Sequence, residues 1–62
     1  MSNSLYTSDY PIVKLALSRR YYQHTIAAYF GVNQGRISEF KNSQFFKQVQ
    51  PASALPVGFP PN

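Results

Sequence analysis

The residues best equipped for chemistry lie in the stretch QGRISE, from Gln34 to Glu39. Their chemistry is recognition by hydrogen bonding, not bond making. The planar guanidinium of Arg36 can pair with guanine O6 and N7, and the amide of Gln34 can pair with adenine N6 and N7. Ser38, one helical turn beyond Gln34, can reach a base or a phosphate. Glu39 can accept from cytosine N4, or it can pair with Arg36 or Lys41 instead. Gly35 costs a helix about 1 kcal/mol relative to alanine. One use for that cost is to let the backbone approach a base edge or a thymine methyl. Arg36 has two plainer uses as well, as a phosphate contact and as a solvated surface cation.

Around this stretch stand residues suited to holding phosphates: Arg19, Arg20, Gln23, His24, Thr25, Asn33, Lys41 and Asn42. Gln23 opens a helix whose free N–H groups can meet an anion. Asn33 is equally explained as a helix N-cap, and one of the two arginines can lay its stem across Tyr22.

Enzymatic residues are not in evidence. The chain has two carboxylates, one histidine and no cysteine. No second group is placed to work with His24, and no phosphate-cradling loop is present. An enzyme is therefore not expected, nor a metal, a cofactor or a small-molecule ligand. Disulfides are excluded. Six Lys and Arg against two acids give a net charge of +4 and a pI near 9.8, which favours polyanionic partners. No apolar run is long enough to span a bilayer, and no signal-peptide core is present, so a cytoplasmic, nucleoid-associated protein is expected.

The recognition residues need elements to hold them, and the spacing predicts those elements. Ala27 and Gly31 lie four apart, the first small enough for a second helix to cross over it. Gly31 suits a left-handed residue after the last helical turn. Val32 fills the angle between the helices, and Asn33 opens the next one. Ile26 and Phe30 on one helix face Ile37 and Phe40 on the other. Helices are thus expected over Gln23–Phe30, without a good N-cap, and over Gln34–Lys41. A preceding helix is expected from Tyr10 to Tyr22, capped by Asp9 with Pro11 in its first turn. Its apolar stripe comprises Ile12, Val13, Leu15, Ala16 and Leu17, with Lys14 toward the polar side.

The unit Gln23–Asn42 resembles the helix-turn-helix of small phage, plasmid and bacterial regulators, of the Cro/repressor-like or homeodomain-like kind. Gln23, Ile26-Ala27, Phe30-Gly31-Val32, Ile37-Ser38 and Phe40 carry the likeness. The resemblance implies that the second helix of the unit enters the major groove of DNA.

The expected fold is all-α: a compact three-helix domain over residues 9–50, a flexible arm over 1–8, and an extended Pro-rich tail over 51–62. Residues 44–50 read as a short helical turn or an irregular return strand. The tail reads as disordered, or laid along a groove of its own domain or of a neighbour. The expected function is sequence-specific binding of double-stranded DNA by a transcriptional regulator. It would act by occupancy, as a homodimer on an inverted repeat, because a single small domain buries little DNA surface. Tyr29, Phe45, Phe46, Leu55, Val57 and Phe59 are the candidate dimer or partner contacts. The alternative is a protein-interaction module (antitoxin, anti-repressor or polymerase-binding) acting through the tail. Single-stranded nucleic acid is less favoured, for want of a stacking platform on a sheet.

Overall fold

The computed structural model describes residues 5–61. Among them are four α-helices, preceded by a 3-10 turn at Thr7–Asp9, and no strand: α1 (Tyr10–Ser18), α2 (Gln23–Phe30), α3 (Gln34–Lys41) and α4 (Gln44–Gln48). The expected three helices are therefore joined by a fourth, which settles the two readings of residues 44–50 in favour of helix. No helix among the described residues is long and apolar enough to cross a membrane.

Helix α1 starts at Tyr10 with Pro11 in its first turn, as expected, but without the expected cap. Asp9 occupies the N-cap position but makes no capping bond. Its backbone is already helical (φ −87°, ψ −18°), whereas a capping residue needs an extended backbone to aim its oxygen at the free N–H groups. The carboxylate turns back instead: Oδ2 accepts from the Tyr6 N–H at 3.1 Å, while the Asp9 N–H donates to the Tyr6 carbonyl at 2.8 Å. Of the arm expected over residues 1–8, residues 1–4 lie outside the described residues. Leu5 packs on the core, and residues 7–9 form the 3-10 turn.

Helix α1 also ends four residues earlier than Tyr22. Arg20 takes a left-handed backbone with φ 68°. The Arg20 N–H donates to the Leu17 carbonyl at 3.0 Å and the Tyr21 N–H to the Ala16 carbonyl at 3.1 Å. These are the two bonds of a Schellman stop. The same stop recurs at the end of α2, around Gly31 at φ 70°: Gly31 donates to Ala28 at 3.3 Å and Val32 to Ala27 at 3.0 Å. Glycine announces the second stop in the sequence. Arginine conceals the first.

Two junctions follow expectation. Tyr22 precedes α2 with no side-chain cap. Asn33 caps α3, its Oδ1 accepting from the Gly35 N–H at 2.7 Å. Val13 and Ala16 from α1, Ile26 and Ala27 from α2, and Ile37 and Phe40 from α3 bury together as the core. Ala27 is nearly inaccessible, in keeping with the small residue needed where two helices cross.

Lys14 departs from the polar side assigned to it. Its ammonium is half-buried, lies over the Phe46 ring, and donates to the carbonyls of Phe46 and Val49. A cation on otherwise orphaned carbonyls ties α4 to α1.

The Pro-rich segment lies on its own domain. Ala52 N–H donates to the Pro11 carbonyl at 2.9 Å. A turn closed by Phe59 N–H on the Pro56 carbonyl at 3.1 Å places Gly58 at φ 92°, as the third position of a type II turn requires. That turn leaves Val57 fully exposed and directs Leu55 and Phe59 onto the core.

Candidate nucleic-acid interface

The outer face of α3 is short and polar. Asn33, Gln34, Gly35 and Glu39 are exposed, while Arg36 and Ser38 are half-buried. Asn33, Gly35, Arg36 and Glu39 line one open concavity of roughly 310 Å³. Within it Arg36 Nη1 lies 3.3 Å from Glu39 Oε1, the pairing being one of the roles considered for Glu39. Both side chains are solvent-accessible, so the pair orients the guanidinium more than it stabilises the helix. Gly35 has little spare room. A Cβ there would stand 3.2 Å from Asn33 Oδ1, so the glycine protects the cap as well as lowering the wall of the concavity.

A second groove, roughly 580 Å³, opens where the α1–α2 turn meets the carboxyl end of α3. Its walls include Arg20, Gln23 and Lys41, three of the residues assigned to phosphates, with Tyr22 beside them. Leu17, Tyr21 and Phe46 supply apolar surface, and no acidic residue lines the groove. Lys14 also reaches it, with its ammonium held by the α4 carbonyls. An acid-free groove with two exposed cations and the first residue of a helix is suited to an anionic oxygen.

The remaining phosphate candidates are dispersed. Asn33 belongs to the α3 concavity. Arg19, His24, Thr25 and Asn42 line neither groove. His24 stacks on Tyr22, ring centroids 5.4 Å apart and planes 8° from parallel, on an exposed part of the α2 amino end. Gln34 and Ser38 flank the concavity without lining it.

The candidate partner contacts also divide. Tyr29 packs against Phe59 at 4.5 Å and Phe30 at 5.0 Å, and Phe59 meets Tyr21 edge-on at 5.1 Å. Leu55 packs on the core, and Phe46 sits edge-on to Phe40 at 5.5 Å. Phe45 and Val57 keep their surfaces outward. Phe45 lines a third cleft of roughly 300 Å³, shared with Leu5, Tyr10, Arg36, Glu39, Phe40 and Ser43.

Sequence reasoning missed the part played by Tyr22 and by Lys14. For Lys14 a signal existed: it is the one charged residue within the apolar run from Ile12 to Leu17, so its stem starts among apolar neighbours.

Comparison with known protein families, curated proteins and solved structures finds no match to this chain.

Proposed function

We propose that this protein is a sequence-specific double-stranded DNA-binding transcriptional regulator in which α2, the turn at Gly31 and α3 act as a helix-turn-helix. One observation carries the reading. The amino end of α3 borders the concavity holding Arg36, and its last residue, Lys41, borders the acid-free groove holding Arg20 and Gln23. A helix that reads base edges must have phosphate-binding groups beside it to fix its register. Here residue types suited to both chemistries lie along or beside a single eight-residue helix, which supports the reading.

In this reading Arg36 pairs with a guanine, while Arg20, Lys41 and the amino end of α2 hold backbone phosphates. Gln34, Gly35, Ser38 and Glu39 complete the base-reading face. The small surface of one copy favours a dimer on an inverted repeat. The alternative, a module acting through its tail, is weakened by the burial of Leu55 and Phe59 against their own domain.

The test is selection from a random duplex library, run in parallel on the wild type and on Arg36→Ala at fixed salt. Enrichment of a sequence by the wild type, with preference lost at one base by the variant, supports the assignment. Uniform weakening makes Arg36 a phosphate contact. Enrichment of nothing sinks the proposal.

A further inference from the structure

Three rings form a ladder from the core to the surface. Phe40 is 4% exposed, Tyr10 stacks on it with centroids 4.3 Å apart, and Phe45 follows Tyr10 at 6.4 Å and is 50% exposed. Large aromatics left half in water and yet held by a stack are poised surfaces: they are rigid, so contact with a ligand loses little side-chain entropy. The position of Phe45 gives that surface a direction. It lines the same cleft as Arg36 and Glu39, which also border the α3 concavity.

Resting on the DNA-binding reading above, we propose that Phe45 is a specificity-determining residue of that interface, and that it packs on the C5-methyl group of a thymine in the base pair next to the one read by Arg36. The major groove offers one apolar feature, the thymine methyl, and an aromatic side chain is among its natural partners. A half-exposed ring beside a guanidinium matches a thymine beside a guanine. Tyr10 flanks this ring at 6.4 Å with the planes 29° apart, and half of the ring's surface stays exposed. The assignment gives α4 a purpose: it carries Phe45 to the edge of the α3 face, and Lys14 fastens α4 there through the Phe46 carbonyl.

The experiment takes the duplex selected by the wild-type chain and replaces its thymines one at a time with deoxyuridine, which removes only the methyl. The unmodified protein is used first, so folding is not in question. One position, adjacent to the guanine assigned to Arg36, is expected to lose about fourfold in affinity, the transfer value of a single methyl. In Phe45→Ala that penalty disappears, while Phe45→Leu retains part of it; thermal unfolding of both variants confirms that they are folded. If the wild type tolerates uridine everywhere while still discriminating sequences, the inference fails and the DNA-binding reading stands. If the penalty persists in folded Phe45→Ala, another residue holds the methyl and the inference fails again. If no duplex is selected at all, both readings fall.

Discussion

The Tyr21 hydroxyl donates to the Pro60 carbonyl at 2.6 Å, closing the last segment of the chain onto the turn between α1 and α2. The bond joins residues 39 apart in sequence, and the Phe59 ring lies against the same tyrosine. The Pro-rich segment therefore completes the apolar surround of a core that is small, as it must be in a domain of about 60 residues. Tyr21→Phe is expected to cost about 1 kcal/mol, the usual net value of one hydrogen bond. Phe59→Ala is expected to cost about 2 kcal/mol, below the range for a fully buried phenylalanine because Phe59 is only half-buried. Urea unfolding of the two variants measures both. Unchanged midpoints would mean that the segment is not part of the cooperative fold.

Arg20 holds a backbone conformation that glycine adopts freely. A left-handed residue with a Cβ is strained by about 1–2 kcal/mol, while a glycine loses about 0.5–1 kcal/mol more on ordering. Arg20→Gly is thus expected to leave stability unchanged or to raise it by up to about 1.5 kcal/mol. Arg20→Ala keeps the strain and gains nothing. Under the proposed function both variants bind DNA more weakly, with a salt dependence shallower by about one counterion. Thermal melts beside binding at several salt concentrations separate the two effects. Full DNA affinity in both variants would remove Arg20 from the interface.

The same residue marks where sequence reading succeeds and fails. The limits of α2 and α3 were legible because their punctuation is chemical: Gly31 for a left-handed stop, Asn33 for a cap, and Ile26, Ile37 and Phe40 at helical spacing. The end of α1 was not, because an arginine carries no sign of a positive φ. Asp9 misled for the opposite reason, being a good capping residue on a backbone that cannot use it. The α3 concavity was partly visible, since Arg36, Gly35 and Glu39 fall on one short helix. The second groove was not visible as a groove. It joins Arg20 of the α1–α2 turn, Gln23 of α2 and Lys41 of α3, and only the fold brings them together.

Lys14 is expected to be the most sensitive charged residue for stability. Lys14→Met preserves the apolar stem but leaves the Phe46 and Val49 carbonyls without their donor. Leaving a partly buried acceptor unpaired costs about 1–3 kcal/mol, and water can reach part of this site. A loss of about 1–2 kcal/mol is therefore expected, with amide hydrogen exchange accelerating first in α4. Equal exchange rates in α4 of the variant and the wild type would show that the lysine does not anchor that helix.

Under the proposed function, Glu39 gives the sharpest test of how the α3 face would discriminate. It is the single acid on that face, it is 70% exposed on its side chain, and it pairs with Arg36 in the free protein. On approach to DNA its charge opposes the phosphates, and every wrong sequence that fails to satisfy Arg36 leaves that guanidinium to Glu39. Removing the charge should therefore help wrong sites more than the right one. Glu39→Gln keeps the size and a hydrogen-bond acceptor for Arg36. It is expected to raise affinity for unrelated duplexes by about tenfold, less than a desolvated like-charge contact would give because Glu39 is mostly exposed and screened, and affinity for the selected site by less. Competition binding, with the selected duplex against random duplex at fixed salt, reads the ratio directly. A specificity ratio that stays constant while both affinities rise would reduce Glu39 to a general electrostatic brake. A specificity ratio that increases would assign the discrimination to other residues of α3.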